Sequence, residues 1–342
     1  MEKLIKLFFI IFLIILIITL SFFIITYFEI IKHHSGTNWF AFNPILSSDP
    51  NYQSASISVK DPSIIFYNGT WHIFFTGIGY NEDRIAERSI NYVSCANLSD
   101  LNKSQKYQIK VFSKNTTRAA APQIFFFNPQ NKWYLIAQAD YGNKYAPVYS
   151  ITTNISDPNS WSEVKPLVNK FENDKWIDFW IIADDNYVYL FYTRNHQEMW
   201  NMKTKIEDFP TNFSDPQKSL GDVKVHEASM IYKIKGTQKY IMLTETRYQL
   251  NKREYYIAES TDLRGIWKNS RLFATGGDLI FVERGKIWTN YISHGELIRS
   301  GYDEKMEIDS LEKVDFLIQG ALKVNYIKYD EIPWQIGIIK NY

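Results

Sequence analysis

The feature of this 342-residue chain that most constrains its fold is a pattern of paired apolar runs that recurs along the sequence. The clearest copy is SIIFYNGTWHIFF, in which Asn68 and Gly69 separate two aromatic-rich runs. Asn-Gly between such runs is a strong signal for a β-hairpin. Four further copies follow at intervals of roughly fifty to sixty residues: QIFFFNPQNKWYLIAQ, FWIIADDNYVYLFYT, SMIYKIKGTQKYIMLTE and DLIFVERGKIWTNYIS.

This repeat predicts an all-β fold, a five-bladed β-propeller with one copy in each blade. In the segments between the copies, such as INYVSCANL and YYIAESTDL, apolar and polar residues alternate well enough to predict outer strands. An all-β sandwich is the alternative, although it gives no reason for so long a period. We expect the propeller to occupy residues 56–342, after a linker segment at residues 32–55.

The N-terminal segment differs from the rest of the chain. No charged residue occurs between Leu7 and Phe28, and most positions are Ile, Leu or Phe. A run of this length predicts one transmembrane helix at about residues 7–28, within a cytoplasmic stub and signal anchor at residues 1–31. Two lysines before the run favour a cytoplasmic N-terminus. We therefore expect a single-pass membrane protein with an extracellular or lumenal main domain; secretion after cleavage of a long signal peptide is the alternative.

Composition limits the partners and the chemistry. The formal net charge is +1, so there is no overall electrostatic case for binding nucleic acid. The sequence has no zinc-type Cys/His spacing, P-loop or dinucleotide fingerprint. Cys95 is the only cysteine, and we expect it to be a small buried apolar residue. Sequons that would suit an extracellular or lumenal domain begin at Asn68, Asn97, Asn102, Asn115, Asn154 and Asn212.

Three acids stand next to the first strands of different copies. Asp61 lies in VKDPSIIF, Asp178 in WIDFWII and Glu227 in VHEASMIY. Because the first strand of each blade lines the channel of a propeller, we expect the three carboxylates to share one position of the repeat and to meet in one pit. Each acid also has a structural alternative: a turn at Asp61-Pro62, a capping role for Asp178, or a surface pair of His226 with Glu227.

Carboxylates that meet in an aromatic-walled pit are typical of glycoside hydrolysis. One acid donates a proton to the leaving oxygen, while another is ionised and activates water or attacks the sugar. Like charges and apolar walls move their pKa values apart, so both roles are available at one pH. A third acid would hold the proton donor in place and help to raise its pKa.

Long motifs carry a family resemblance over nearly all of the chain after the N-terminal segment. In order they are VKDPSIIFYNGTWHIFF, APQIFFFNPQNKWYLIAQ, WIDFWIIADD, HEASMIYKIKGTQKYIML, WTNYISHGELIRSGYDEKMEID and YDEIPWQIGII. They resemble glycoside hydrolase family 62, the α-L-arabinofuranosidases, and more loosely the related family 43. The resemblance implies a five-bladed propeller that removes arabinofuranosyl side groups from a plant-type polysaccharide, arabinoxylan or arabinan, with inversion.

The resemblance also implies a role for each acid. Asp61 matches the general base, Glu227 the general acid, and Asp178 the acid that tunes and orients Glu227. An inverting base and acid are expected to stand roughly 6.5–9.5 Å apart. Lys60 matches a sugar-binding lysine, and Tyr329 matches a tyrosine of the arabinose pocket. Three further residues are predicted to line the pocket: Gln138, Trp180 and Arg299. Core packing is the alternative for Trp180.

The resemblance implies one metal ion, although the chemistry requires no cofactor. His294 of SHGELIR matches a histidine that faces a central calcium ion in these propellers. Calcium prefers oxygen ligands, so spacing alone would not suggest this site, and a structural histidine is the alternative. His72 and His226 are expected to be structural.

Three departures from the family bear on specificity. Met230 stands where the family usually has asparagine, and Ala183 where it often has cysteine. TRNHQEMW, with Arg194 and His196, replaces an acidic loop that contains glycine and borders the substrate face. Alternatives to an arabinofuranosidase are a propeller that binds a furanose without hydrolysing it, a family-43-like furanosidase or xylosidase, and a surface propeller for protein contacts. We expect a monomer.

Overall fold

The computed structural model describes residues 9–21, 35–81, 83, 85–114, 118–141, 144–168, 175–248, 252–283, 286–322 and 328–341. Residues 9–21 form an α-helix. Across these ranges, no helix is both long and apolar enough to span a membrane.

This finding corrects the predicted transmembrane helix at about residues 7–28 and the single-pass localisation that depended on it. The two ends of that prediction, residues 7–8 and 22–28, lie outside the described residues, as does the sequon at Asn115.

The strands of the described chain fall into five sheets. The first sheet contains β2 (Ser58–Tyr67), β3 (Thr70–Tyr80), β4 (Ala86–Cys95) and β5 (Lys106–Gln108). The second contains β6 (Ala119–Phe127), β7 (Lys132–Tyr141), β8 (Lys144–Thr152) and β9 (Lys165–Pro166). The third contains β10 (Trp176–Ala183), β11 (Tyr187–Arg194), β12 (Glu198–Lys205) and β13 (Gln217–Lys218).

The other two sheets are larger. The fourth has the order β14-β18-β17-β16-β15-β21, with β14 (Leu220–Gly221), β15 (Glu227–Ile234), β16 (Tyr240–Tyr248), β17 (Lys252–Ser260), β18 (Ile266–Thr275) and β21 (Glu307–Ile308). The fifth has the order β19-β1-β23-β22-β20, with β1 (Trp39–Ala41), β19 (Leu279–Phe281), β20 (Tyr291–Leu297), β22 (Asp315–Ala321) and β23 (Gln335–Lys340). Short 3-10 helices occur at Gln53–Ala55, Leu98–Lys103, Lys110–Phe112, Asn128–Gln130, Ile206–Asp208, Gly276–Asp278 and Tyr329–Glu331.

The first four predicted copies are hairpins in the structure, and the all-β propeller class is confirmed. They are the pairs β2–β3, β6–β7, β10–β11 and β15–β16. In the first hairpin Tyr67 pairs with Thr70, so the loop is only Asn68 and Gly69. Both loop residues have positive φ, 48° and 76°, which is the backbone that a tight two-residue turn requires.

The fifth predicted copy is not a hairpin. β19 and β20 lie at opposite edges of the fifth sheet, where β19 runs parallel to β1 and β20 pairs with β22. This sheet joins strands from both ends of the described fold, and a local sequence pattern cannot show such pairing. The prediction of five equivalent hairpin blades behind a transmembrane helix is therefore wrong.

The innermost strands share a β-bulge at one level of the channel. Register shifts interrupt β2 after Lys60, β6 after Ala120, β10 after Ile177, β15 after Glu227 and β20 after Ser293. A bulge bends the strand and re-aims a side chain. In four of these bulges one residue takes the left-handed conformation, with φ between 48° and 58°: Asp61, Ala121, Asp178 and Ala228.

A ring of side chains fixes these bulges. In each case a side chain of the preceding sheet accepts a hydrogen bond from a backbone N–H in the bulge, so a buried donor is satisfied and two sheets are joined. The acceptor–donor pairs are Thr76 with Ala121 (2.8 Å), Gln138 with Asp178 (3.0 Å), Asp178 with Ala228 (2.7 Å), Glu245 with His294 (2.6 Å) and Gln319 with Asp61 (2.8 Å).

Candidate active site

A pit of about 460 Å³ opens at the end of the channel where the bulges lie. The sequence-predicted residues that line it are Lys60, Asp61, Gln138, Asp178, Glu227, His294 and Tyr329.

Asp61 lies in the pit with positive charge beside it. Its Oδ1 is 3.3 Å from Lys60 Nζ and 3.8 Å from His294 Nδ1. Burial opposes ionisation of Asp61, but Lys60 and His294 outweigh it and hold the pKa of this carboxyl below its usual range. Asp61 is therefore ionised and can accept a proton from a group in the pit.

Asp178 has the opposite electrostatic setting. Burial raises the pKa of Asp178, and the negative charges of Glu227 and Asp61 raise it further, although His294 acts against them. Its Oδ2 accepts the hydrogen bond from the backbone N–H of Ala228. Gln138, predicted as a wall residue, also accepts a hydrogen bond from the Asp178 backbone N–H. These contacts explain how a carboxyl group is accommodated between apolar neighbours.

Glu227 contacts three side chains that can carry positive charge. Its Oε1 is 3.2 Å from His196 Nδ1 and 3.5 Å from His226 Nε2, and its Oε2 is 3.3 Å from Arg253. Burial acts against ionisation, but His196, Arg253 and His226 together hold the pKa of Glu227 well below its usual range. The contact with Glu227 in turn raises the pKa of His196, whereas burial and Arg253 lower the pKa of His226 to about 4.

Glu227 does not share the repeat position of the other two acids. Asp61 and Asp178 are the left-handed residues of their bulges, but in β15 that residue is Ala228. Glu227 therefore stands one residue earlier, at the level of Lys60 and Ile177. The prediction that all three acids share one position of the repeat is wrong for Glu227.

Arg253 links Glu227 to a fourth acid that sequence reasoning did not identify. Its Nη1 is 2.9 Å from Oε1 of Glu245, a fully buried residue. The other oxygen of Glu245 accepts hydrogen bonds from the His294 backbone N–H and from Ser293 Oγ. No local sequence motif predicts this network, because Glu245 and Arg253 lie on β16 and β17 and not on the inner strand β15.

The opposite wall of the pit is built around Tyr329. Its hydroxyl accepts a hydrogen bond of 2.9 Å from Lys60 Nζ, and the Arg88 guanidinium lies 5.8 Å from its ring centre. Arg88 also pairs with Asp330 and donates to the hydroxyl of Tyr145. Lys60 and Tyr329 thus lie together in the pit. Arg88 and Tyr145 also line it, although sequence reasoning did not identify them.

Two predicted wall residues lie in the core instead. Trp180 donates from Nε1 to the Ile231 carbonyl (2.8 Å), and Arg299 pairs with Glu296 (2.8 Å). Arg299 also donates to the carbonyl oxygens of Ile64 and Ile124, which lie on the first and second sheets. Both side chains join sheets, and neither lines the pit.

The substituted rim loop reaches the pit through one residue. Asn195 and His196 both have positive φ, 54° and 55°, in the turn between β11 and β12, and this turn carries His196 to Glu227. Arg194 stacks instead on Trp200, with 4.5 Å between the guanidinium and the ring centre. His226, which was predicted to be structural, stacks its ring on His196 and contacts Glu227.

His294 lies between the two inner acids. Its Nδ1 is 3.8 Å from Asp61 and 3.9 Å from Asp178, and these carboxylates outweigh burial and raise its pKa. Carboxylate oxygens are the ligand type that calcium prefers, so the side chains around His294 suit such an ion in type.

Comparison with known proteins identifies the family of the chain. The profile of Glycosyl hydrolase family 62 matches residues 47–340. A curated relative, alpha-L-arabinofuranosidase C of Cellvibrio japonicus (strain Ueda107), is 34% identical over 315 residues, which cover 88% of this chain and 46% of that protein. The chain thus spans about half the length of this relative.

Solved structures agree with this family and with the fold. The α-L-arabinofuranosidase of Podospora anserina in complex with cellotriose superposes with a TM-score of 0.79 at 26% identity, covering 91% of this chain and 98% of that one. A thermostable family-43 glycoside hydrolase shares the fold, with a TM-score of 0.56 at 14% identity over 83% of this chain and 90% of that one. The predicted family is confirmed: the chain belongs to glycosyl hydrolase family 62.

Proposed function

We propose that the protein is an inverting α-L-arabinofuranosidase that removes single arabinofuranosyl groups from a plant-type polysaccharide, arabinoxylan or arabinan. The observation that carries this proposal is the meeting of Asp61, Asp178 and Glu227 in one pit, where Lys60 and His294 hold Asp61 ionised. Hydrolysis of a glycoside needs both an ionised acceptor and a proton donor in one site.

Asp61 serves as the general base. Its ionised carboxylate takes a proton from a water molecule as the water oxygen bonds to the anomeric carbon of the sugar. Lys60 keeps Asp61 ionised and, with Tyr329, presents a donor and a hydroxyl to the sugar.

Glu227 serves as the general acid together with His196. In the open pit the proton of this pair resides on His196, because contact with the carboxylate raises the pKa of His196 and lowers that of Glu227. The proton passes through Glu227 to the glycosidic oxygen as the bond from that oxygen to the anomeric carbon breaks. Asp178 holds the backbone beside Glu227 and adds negative charge that favours the protonated acid.

The pit fits the removal of one terminal sugar. Its volume of about 460 Å³ suits a monosaccharide unit with part of its attached chain, and Arg88 and Tyr145 extend the wall beyond Tyr329. Binding of cellotriose by the Podospora anserina relative supports a polysaccharide substrate here.

A calcium ion beside His294 is a further part of the proposal. Asp61 and Asp178 would supply carboxylate oxygens to it, with water completing the coordination. Such an ion would offset the repulsion between the two carboxylates and keep their bulges in place.

A propeller that binds a furanose without cleaving it is the second candidate, favoured by the ionised state of Glu227 in the open pit. The test is to incubate the purified protein and its Glu227→Gln variant with wheat arabinoxylan, sugar-beet arabinan and an aryl α-L-arabinofuranoside, and to measure free arabinose. We expect release by the wild type and a loss of about 10²–10⁴-fold in the variant on the polysaccharides. Arabinose binding without release from any substrate would favour the second candidate.

A further inference from the structure

A second group of convergent side chains lies on the rim side of the pit. It consists of His196, His226 and Glu227, whose ligand atoms all lie within 4.8 Å of one another. His196 Nδ1 and His226 Nε2 are 3.2 Å and 3.5 Å from the same oxygen, Glu227 Oε1. Two imidazole nitrogens and one carboxylate oxygen form a donor set that zinc-class ions use with an open fourth position.

The spacing of the two histidine nitrogens from Glu227 Oε1 fits one shared ion. Zinc holds nitrogen and oxygen ligands at about 2.0–2.2 Å, so two ligands of a tetrahedral ion stand about 3.3 Å apart. The two distances to Glu227 Oε1 bracket this value. The rings of His196 and His226 lie side by side, with centres 4.8 Å apart and planes 25° apart, so both present an edge to the same carboxylate.

His196 Nδ1 adds an independent observation. This atom is buried and, among the described residues, has no hydrogen-bond partner of good geometry, although Glu227 Oε1 is 3.2 Å away. The left-handed backbone of His196, uncommon for a residue other than glycine, holds the ring in this place. A nitrogen that lies near a carboxylate but out of line for a hydrogen bond to it suits a metal ligand, once the ion has displaced the proton that His196 carries in the open pit.

We propose that His196, His226 and Glu227 form a reversible binding site for a divalent transition-metal ion of the zinc class, and that the bound ion inhibits the enzyme. The ion would occupy the oxygen of Glu227 that must exchange a proton with the substrate. Arg253 contacts both oxygens of the Glu227 carboxylate: its Nη1 is 3.3 Å from Oε2, and its Nη2 donates to Oε1 (3.4 Å). Its positive charge keeps the metal exchangeable. Calcium does not suit this set, because it prefers oxygen ligands. The inhibition rests on the proposed function, whereas the binding does not.

Binding is tested on the purified full chain with Zn²⁺ alone by titration calorimetry, and with Co²⁺ by its visible absorption, which reports the ligand geometry. We expect one ion per chain and at least a tenfold weaker affinity in His196→Asn and in His226→Asn. The control is the double variant His33→Asn/His34→Asn, which removes the adjacent histidines near the N-terminus and should leave the affinity unchanged.

An unchanged affinity in both pit variants, loss of binding in the control variant, or no binding by the wild type would overturn the site. Arabinose release measured with and without Zn²⁺ then separates the proposed inhibition by the metal from the proposed function. Release that Zn²⁺ suppresses and EDTA restores supports both. Release that bound Zn²⁺ does not affect overturns the inhibition, while metal binding by a protein that releases no arabinose contradicts the proposed function alone.

Discussion

Asp178 accepts a hydrogen bond of 2.7 Å from the backbone N–H of Ala228, the residue that follows Glu227. The bond joins the third and fourth sheets at the level of their bulges. Through this bond, Asp178 fixes the backbone next to Glu227. A side chain on the first strand of one blade thereby positions the proposed proton donor on the next.

Substitution of Asp178 separates its charge from this hydrogen bond. Asp178→Asn keeps an acceptor oxygen for Ala228 but loses the charge beside Glu227, so we expect near-normal stability and greatly reduced arabinose release. Asp178→Ala also leaves the Ala228 N–H unpaired, which destabilises the fold by about 1–3 kcal/mol. Urea unfolding of both variants measures the difference. Equal stability of the two would show that the bond to Ala228 contributes nothing.

Arg253 is expected to be essential for stability. It stands between Glu227 and the fully buried Glu245, so Arg253→Met leaves a buried carboxyl without its cation. Removing one partner of such a buried pair is expected to reduce the free energy of unfolding by about 3–5 kcal/mol.

The matched control is Arg271→Met, which removes the exposed pair of Arg271 with Glu259. Exposed pairs contribute about 0–1 kcal/mol, so this variant should unfold near the wild-type midpoint. Similar losses in both arginine variants would refute the special role of Arg253.

The acid limb of the pH–activity profile should depend on Lys60. The pKa of Asp61 is below its ordinary value in the folded protein, so activity persists as the pH falls until it passes through that lowered pKa. The stability that ionised Asp61 contributes is present above its unfolded-state pKa and is lost over the same acidic interval.

Lys60→Met removes the nearest cation and should move the acid limb of kcat/KM upward by about 1 pH unit or more. Lys205→Met, which alters an exposed lysine beside Glu207, should leave the limb in place. An acid limb that does not move in Lys60→Met would remove Lys60 as the cause of the shift.

Calcium removal should weaken the centre of the propeller. If an ion lies beside His294, EGTA lowers the melting temperature, and added Ca²⁺ restores it, because a ligand that binds only the folded state stabilises that state. Mg²⁺ should not substitute, since it demands a smaller octahedral site. A melting temperature that is indifferent to EGTA and Ca²⁺ would speak against the ion.

Local signals in the sequence were sufficient for much of the fold. Asn68-Gly69 specified a hairpin because few residue pairs adopt two positive φ angles easily. The hairpin predicted for the fifth copy is wrong because β19 pairs with β1, which lies more than two hundred residues earlier in the chain. No local turn signal can indicate such a pairing.

The site was predictable where family motifs lie on inner strands, as for Asp61, Asp178 and Glu227. It was not predictable where contacts cross between strands or sheets. Arg253 reaches Glu227 from β17, and its sequence neighbourhood carries no sign of this contact. His196 lies in the loop that was expected to border the substrate face, but the sequence does not show that it contacts Glu227. The prediction for Arg299 was wrong for a different reason. This charged residue lies in a family motif, but it donates hydrogen bonds to buried backbone carbonyls of two sheets and does not line the pit.

The most direct test of the account is the anomeric form of the first arabinose released. Proton NMR during hydrolysis of an α-L-arabinofuranoside by the wild-type protein should show the β-anomer first, followed by mutarotation, because Asp61 directs water to the face opposite the leaving group. The α-anomer as first product would contradict inversion, and absence of any arabinose would contradict the proposed activity.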